Sequence, residues 1–368
     1  MKVPFVDLHA QYLSIQDEID AAIRQVIADS AFIRGPHVDA FERAWAEACG
    51  VRHCVSCANG TDALEIVMRA LGVKPGDEVI TSAHSWISTS ETITQVGGRV
   101  VFCDVDPRTF TIDPAQIESR ITPRTVGLIP VHLYGQPADM DPIMAIARHH
   151  GLWVIEDAAQ AHLARYNGQP VGSFGQAATY SFYPSKNLGA YGDAGCVVTN
   201  DNGLADWMAT FARHGAKGEH VMEGMNSRMD GLQAAILSAK LPHLAAWTDA
   251  RQRLASEYDR HLAGIGDVET PMVASGREHV YHAYVIRTGR RDALRAHLAE
   301  AGIATQLHYP KALPFYPAYA YLGHTPEDFP VAYRNQSRIL SLPFYPEMPS
   351  EMVDHVVSQI RGFFDVAS

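Results

Sequence analysis

Short, continuous apolar runs alternate with helix-like segments through much of the chain. The runs are EVITSA, RVVFCDVD, TVGLIPVHLYG, LWVIEDAAQ, ATYSFY and GCVVTN, and pieces such as PIMAIARHHG separate them. A strand with one face in water alternates apolar and polar residues, whereas a strand covered on both faces is apolar throughout. The pattern therefore predicts a mostly parallel mixed sheet flanked by helices, an α/β fold.

Helical spacing of apolar residues marks the segments around this sheet. One stripe predicts an amphipathic helix near the N-terminus: Ile15, Ile19, Ala22, Ile23, Val26 and Ile27. A second helix is expected over 61–71. Residues 232–262 are strongly helical, and Pro242 is expected to kink or divide them.

The C-terminal third has its own alternation of elements. AYVIRT, RDALRAHLAEAG and ATQLHYP predict strand, helix and strand, and a last helix is expected over 351–364. We therefore expect a large domain over residues 1–245 and a smaller C-terminal α+β domain over residues 246–368.

Composition excludes several classes of protein. The 368 residues are 47% hydrophobic and 19% charged, which suits a protein with a large core. A net charge of −11 and the lack of a basic run argue against nucleic acid as a partner. The N-terminus has no signal-peptide core, no apolar stretch reaches the roughly 18 residues of a membrane helix, and the five cysteines do not form a disulfide framework. We expect a cytoplasmic protein without a membrane partner.

The stretch NGTDAL places Gly60 and Thr61 at the start of the helix over 61–71. Free N–H groups and the helix dipole attract anions at such a position, so a phosphate site is one interpretation. The alternative is that Asn59 or Thr61 simply caps the helix.

Asp157 ends the apolar run LWVIED. A carboxylate at a buried strand end can hold a ring N–H cation such as a protonated pyridine, although it can equally be the N-cap of a following helix. We expect the adjacent Glu156 to be solvated, because successive strand residues point to opposite faces.

Lys186 lies in SFYPSKNLGAYGDAG, among aromatic and small residues. The stretch lacks the GxxxxGK[ST] pattern of a nucleotide P-loop. A lysine with few charged neighbours can be desolvated, which lowers its pKa and makes the amine a nucleophile or a base. The alternative is an ordinary solvated loop lysine.

Two further features have a structural and a functional interpretation. Trp86 follows a strand and could stack on an aromatic ligand, or be a large core side chain. Cys54 and Cys57 could form a redox or zinc site, but no second CxxC and no HExxH motif occurs, so we favour buried small residues. We predict no metal.

The order of these features resembles that of fold-type I pyridoxal 5′-phosphate (PLP) enzymes, of aspartate-aminotransferase architecture. More closely, the chain resembles the DegT/DnrJ/EryC1/StrS family of nucleotide-sugar aminotransferases. The matching stretches are NGTDAL, GDEVI, DVDPRTFTIDP, ITPRTVGLIPVHLYGQPADM, VIEDAAQAH, SFYPSKNLGAYGDAG, NSRMDGLQAAIL and HYP. They follow the family's order over most of the chain.

The resemblance implies roles for residues around the cofactor ring. Lys186 would bond covalently to PLP and then move a proton between substrate carbon and cofactor. Asp157 would pair with the pyridinium nitrogen, Gln160 would approach the ring hydroxyl, and Trp86 would stack on the ring.

It also implies contacts to the cofactor phosphate and to substrates. Gly60, Thr61 and Ser181 would hold the phosphate, and Asn226 would reach the phosphate of a neighbouring subunit in a homodimer with shared active sites. The implied substrate-binding residues are Arg228, His308 and Tyr309. For Asn226 and Arg228, the alternative is that they only shape a turn before the LQAAIL helix.

The activity implied is transfer of an amino group from L-glutamate or glutamine to a nucleotide-linked keto-sugar. The NSRMD stretch is more similar to members that act at carbon 3 of the sugar than to those that act at carbon 4. A keto-cyclitol or another carbonyl acceptor is an alternative, as is a PLP- or nucleotide-sugar-binding regulator without turnover. Leu163 and the sequence GDAG depart from the family pattern, which bears on the sugar pocket rather than on the lysine or the aspartate.

Overall fold

The computed structural model describes residues 1–365, and the elements below belong to that range. The helices are α1 (Leu8–Ser14), α2 (Gln16–Asp29), α3 (Pro36–Cys49), α4 (Gly60–Ala70), α5 (Ser88–Gln95), α6 (Pro114–Ile117), α7 (Met140–His150), α8 (Asn202–Phe211), α9 (Gly231–Lys240), α10 (Leu244–Leu262), α11 (Arg291–Glu300), α12 (Pro330–Asn335) and α13 (Ser350–Asp365). Short 3₁₀ turns cover Glu118–Arg120, Leu133–Gly135, Leu241–His243, Leu313–Phe315, Pro317–Leu322 and Pro326–Asp328.

The strands form one large sheet and two small ones. They are β1 (His53–Cys57), β2 (Glu78–Ser82), β3 (Arg99–Cys103), β4 (Thr125–Ile129), β5 (Trp153–Asp157), β6 (Arg165–Tyr166), β7 (Gln169–Pro170), β8 (Ala177–Ser181), β9 (Gly195–Thr199), β10 (Arg277–Glu278), β11 (Tyr284–Arg287) and β12 (Ile339–Leu342). The large sheet has seven strands in the order β1-β9-β8-β5-β4-β2-β3. Strand β9 is antiparallel to both of its neighbours, and the other neighbouring strands pair in parallel.

The predicted mostly parallel sheet is thus confirmed. Helices cover both faces, and for this reason all five residues of β2 and of β9 are buried. Helix α4 starts where Asn59 accepts a 2.8 Å hydrogen bond from the Asp62 N–H, and its apolar stripe packs into the core beneath the sheet.

The expectation that Glu156 is solvated is wrong, because its carboxylate is completely buried. Its oxygens accept hydrogen bonds of 2.8–3.0 Å from the backbone N–H groups of Gly172, Phe174 and Gly175, and one lies 3.1 Å from His132 Nε2. Alternate strand residues do point to opposite faces, but both faces of this sheet are covered.

Other predictions along the chain have mixed outcomes. Pro242 does divide the long helical segment, since α9 ends at Lys240 and α10 begins at Leu244 after one 3₁₀ turn. The stretch ATQLHYP is not a strand and makes only an isolated bridge between Gln306 and Ser341. The sequence HCVSC forms β1, an edge strand that the apolar pattern did not predict, and its cysteines are free.

The C-terminal part builds a second apolar core around β11, β12, α10, α11 and α13. Val3, near the N-terminus, also packs into it. The predicted boundary at residue 246 falls inside α10, whose first residue, Leu244, packs beneath the large sheet while Leu254 packs in the second core. Residues 366–368 of the predicted C-terminal domain lie outside the described residues. Within residues 1–365, no helix combines the length and the apolar character needed to cross a membrane.

Candidate active site

A cavity of about 650 Å³ opens at the carboxyl ends of the central strands. Segments that follow β1, β2, β4, β5 and β8 all contribute to its wall. Nine of the residues proposed from the sequence line it: Gly60, Thr61, Trp86, Asp157, Gln160, Ser181, Lys186, His308 and Tyr309. The topology therefore brings together residues that lie up to 249 positions apart in the chain.

Lys186 lies in the loop that follows β8, where its backbone N–H donates a 2.8 Å hydrogen bond to the Tyr183 carbonyl. The side chain is partly buried, and its amine has no hydrogen bond or ion pair with any of residues 1–365. Burial lowers the pKa of Lys186 to about 8, against the opposing effect of the Asp157 charge. A larger fraction of the amine is therefore neutral and nucleophilic at physiological pH than for a solvated lysine.

Asp157 ends β5 with a side chain that is 5% exposed. One carboxylate oxygen accepts a 2.8 Å hydrogen bond from the Thr89 hydroxyl and the other a 3.2 Å bond from the Ala159 N–H. No helix starts here, so the interpretation of Asp157 as an N-cap is wrong. Burial raises the pKa of Asp157, while the two hydrogen bonds and the Lys186 charge act against this rise. The carboxylate can therefore pair with a cationic group that is bound in the cavity.

The start of α4 forms another part of the cavity wall. The N–H groups of Gly60 and Thr61 donate to no carbonyl of the described chain, as expected for the first turn of a helix. A Cβ atom at Gly60 would lie 2.7 Å from Ser181 Cβ, so only glycine lets the helix start approach the end of β8 this closely. Asn59 does cap the helix, but the cap uses the Asp62 N–H and leaves the first two donors free for an anion.

Gln160 connects two parts of the cavity wall. Its amide oxygen accepts a 2.6 Å hydrogen bond from the Tyr134 N–H, and its amide nitrogen donates a 2.8 Å bond to the Tyr309 hydroxyl. The Tyr309 ring lies 5.5 Å from the Trp86 ring, centroid to centroid. Trp86 is 57% exposed, so its interpretation as a core side chain is wrong and its indole is available to a ligand in the cavity.

His308 shares the wall with Tyr309, and its Nδ1 lies 2.8 Å from the Ser341 hydroxyl. Burial lowers the pKa of His308 to about 4, and the neighbouring charges of Lys186 and His84 act in the same direction. The imidazole is therefore neutral at physiological pH.

Asn226 and Arg228 are the two proposed residues that do not line this cavity. Asn226 is exposed and forms an isolated antiparallel bridge with Arg213. Ser227, which lies between Asn226 and Arg228 in the sequence, is buried. It donates a 2.6 Å hydrogen bond to Asp62 and accepts a 3.0 Å bond from the Ala58 N–H. The segment is thus fixed beside the helix start, and Asn226 is not part of this chain's own cavity wall.

The polar residues at the site that sequence reasoning missed include Thr89, Asn187 and His282. Thr89 holds Asp157, Asn187 follows Lys186 directly, and His282 lines the cavity. The position of Thr89 in the helix after Trp86 was a usable signal. His282 gave none, because it approaches Asn187 from a segment 95 residues further along the chain.

Comparison with known proteins assigns this architecture. The model of the DegT/DnrJ/EryC1/StrS aminotransferase family matches residues 13–361. A "Pleiotropic regulatory protein" from Geobacillus stearothermophilus is 48% identical, over 99% of each chain. The UDP-N-acetyl-3-dehydro-alpha-D-glucosamine 3-aminotransferase of Acidithiobacillus ferrooxidans is 45% identical over 98% of this chain and 97% of its own. The dTDP-3-amino-3,4,6-trideoxy-alpha-D-glucose transaminase of Streptomyces venezuelae is 42% identical, over 98% and 96%.

Solved structures agree with the sequence matches. DesV of S. venezuelae, solved in complex with a ketimine intermediate, superposes with a TM-score of 0.97 at 41% identity and covers 99% of both chains. NtdA of Bacillus subtilis, solved with bound cofactor PMP, superposes with a TM-score of 0.91 at 33% identity, over 99% of this chain and 85% of its own. With the family model matched over nearly its whole length, this chain belongs to the DegT/DnrJ/EryC1/StrS aminotransferase family.

Proposed function

We propose that this protein is a PLP-dependent aminotransferase that transfers an amino group from L-glutamate or glutamine to a nucleotide-linked keto-sugar. The observation that carries the proposal is the meeting of three groups in one cavity: the unpaired Lys186 amine, the buried Asp157 carboxylate and the free N–H groups of Gly60 and Thr61. They match the aldehyde, the ring nitrogen and the phosphate of PLP, respectively. The residues present therefore fit the cofactor.

Each side chain then has a definable task. Lys186 would hold the cofactor covalently and would then accept and return a proton at the amino-bearing carbon, for which its lowered pKa is suited. Asp157, held by Thr89, would keep a proton on the ring nitrogen. Trp86 would cover a face of the bound ring, and Gln160 would approach the ring hydroxyl. When bound, PLP supplies a ring that withdraws electrons from the carbon losing its proton.

For the position of amination, we favour carbon 3 of the sugar. The names of both aminotransferase relatives place the amino group at carbon 3. The NSRMD stretch supports the same choice. The acceptor assay that decides between carbons 3 and 4 uses matched 3-keto and 4-keto sugars, and amination of the 4-keto compounds alone would contradict the assignment.

We also propose a homodimer with shared active sites, and the charge of the cavity supports it. Of the described residues that line it, Lys186 is the only lysine or arginine. The proposed substrates carry a diphosphate and carboxylates, which need cationic or N–H donors. Asn226 and Arg228 are exposed or partly exposed and do not line the cavity of their own chain, so a second copy can supply them. His308 and Tyr309 would then face the sugar.

A regulator without turnover is the second candidate, because one relative carries the name "Pleiotropic regulatory protein". Lys186 and Asp157 argue for chemistry, since a protein that only binds a sugar needs neither a desolvated amine nor a buried carboxylate. A keto-cyclitol or another carbonyl compound remains the alternative acceptor within enzymes.

The test is the visible spectrum of the purified protein with PLP before and after addition of L-glutamate or glutamine. We expect a band of lysine-bound PLP that the donor converts to the pyridoxamine form, and that is missing in Lys186→Ala. Asp157→Asn should keep the band but slow the conversion at least about 100-fold, because the ring nitrogen loses its partner. No band in the wild type would contradict the cofactor. Ligand binding without amino transfer to any keto-sugar or keto-cyclitol would favour the regulator.

A further inference from the structure

The side chain of Asn187, which directly follows Lys186, is fixed in one orientation. It is 3% exposed, and its amide group hydrogen bonds to two partners. The Val280 carbonyl lies 2.9 Å from one terminal atom of the amide. Because a carbonyl oxygen only accepts, that atom is the NH₂ group. The Asn187 oxygen therefore points to its second partner, His282 Nδ1, at 3.2 Å.

This orientation determines the tautomer of His282. Since the Asn187 oxygen only accepts, His282 Nδ1 must carry the proton that it donates. In the neutral ring, Nε2 is then an acceptor with a free lone pair. Burial lowers the pKa of His282 well below its ordinary value, and the charges of Lys186 and Arg251 act in the same direction. The ring thus stays neutral.

The backbone holds this ring in place at the cavity wall. The backbone N–H of His282 donates a 2.7 Å hydrogen bond to the Tyr134 carbonyl. The backbone N–H of Val280 donates a 3.0 Å bond to the Gly135 carbonyl. A Cβ at Gly135, where φ is 100°, would lie 3.0 Å from the His282 nitrogen, so the two segments are in close contact. His282 Nε2 itself has no hydrogen bond with any of residues 1–365, and the residue lines the cavity that holds Lys186.

We propose that His282 Nε2 accepts a hydrogen bond from a hydroxyl group of the keto-sugar, on a carbon next to the reacting carbonyl. The carbonyl carbon must approach the Lys186 region, and His282 is hydrogen-bonded to the residue that follows Lys186, so a neighbouring hydroxyl is the donor within reach. Asn187 acts as a positioning residue that keeps the lone pair directed to the substrate. The inference rests on the proposed keto-sugar aminotransferase activity and adds a determinant of acceptor specificity to it.

The kinetic test compares acceptors that differ in one hydroxyl. We would measure kcat/KM for the 3-keto sugar nucleotide and for its 2-deoxy and 4-deoxy analogues, in the wild type and in His282→Phe. The wild type should prefer the hydroxylated acceptor over one of the two analogues by at least about 10-fold, the value of one hydrogen bond, and His282→Phe should reduce that ratio to about 1. His149→Phe, at an exposed position on α7, serves as the matched control and should keep the wild-type ratio.

A second readout examines the tautomer without turnover. In protein carrying ¹⁵N-labelled histidine, the signals that disappear in His282→Phe should report a neutral ring protonated at Nδ1, both with and without PLP. Asn187→Leu should shift the same signals towards protonation at Nε2 and should lower the preference for the hydroxylated acceptor.

The possible outcomes separate this inference from the proposed function. A wild type that aminates no keto-sugar would overturn both. A wild type that aminates the keto-sugar, with a preference that survives in His282→Phe, would overturn only the role of His282. An Nε2-protonated His282 in the wild type would also overturn it, because the ring would then have no lone pair to offer.

Discussion

The ammonium group of Lys240, on α9, donates a 2.7 Å hydrogen bond to the carbonyl oxygen of Gly189, three residues after Lys186. Lys240 is 1% exposed, and its nitrogen lies 4.3 Å from the centre of the Tyr191 ring. Two turns earlier on α9, Gln233 accepts a 2.8 Å hydrogen bond from the Tyr191 N–H. One helix thus holds the loop that carries Lys186 at two points.

Lys240→Met should weaken the binding of PLP about 10-fold, because the Gly189 carbonyl has no other hydrogen-bond donor among the described residues and the loop loses one of its ties. Spectral titration of the apoprotein with PLP measures this affinity. The control is Lys217→Met, at an exposed lysine away from the loop. Equal affinities for the two variants would show that the tie to Lys240 does not position the loop.

Gly60→Ala should reduce PLP affinity by at least about 10-fold while the fold is retained. The added methyl group would lie 2.7 Å from Ser181 Cβ, so either the helix start or the end of β8 must move, and the phosphate donors move with it. Gly362→Ala is a matched control in α13, where a Cβ meets nothing within 4 Å, and it should leave PLP affinity unchanged. The circular dichroism spectrum checks that both variants fold. Unchanged affinity in Gly60→Ala would argue against a phosphate at this helix start.

Glu156→Gln should lower the free energy of unfolding by about 1.5–3 kcal/mol. The buried carboxylate accepts hydrogen bonds from three backbone N–H groups. In glutamine, one of its oxygens is replaced by an NH₂ group, which is itself a donor and cannot accept these bonds. Urea denaturation measures the change. Glu118→Gln, at a carboxylate that is 62% exposed and 3.4 Å from His150, should change the stability by less than about 0.5 kcal/mol. A similar small change for both would mean that the buried contacts contribute little net stability.

Lys186→Met should make the apoprotein more stable at pH 7, by about 1–3 kcal/mol, since burial of the ammonium group opposes folding. The native pKa of about 8 lies below the unfolded value of 10.5, so between these values the unfolded chain binds a proton that the native protein does not. Wild-type stability relative to the variant therefore rises with pH in this window. Urea denaturation of both apoproteins from pH 7 to pH 9.5 should show the difference shrinking, and a difference that is constant or grows with pH would contradict the lowered pKa.

Much of the fold was predictable because its signals are local. The apolar runs marked six strands of the central sheet, helical spacing marked α4, and Pro242 marked the division between α9 and α10. Strand β1 was missed because HCVSC has one strand-favouring residue, Val55, and its pairing with β9 at the sheet edge decides that it is a strand. Glu156 was placed wrongly because alternation only assigns successive residues to opposite faces, and both faces of this sheet are covered.

For the site, the sequence by itself determined which reactive groups exist and the order in which they follow the strands, since strand ends and helix starts are encoded in neighbouring residues. Only the tertiary structure decided which groups meet. Asp157 is held by Thr89, 68 positions earlier, and His282 by Asn187, 95 positions earlier. Such pairs depend on strand order and on contacts between distant segments, and a buried polar group takes whichever partner the packed fold brings within hydrogen-bond distance.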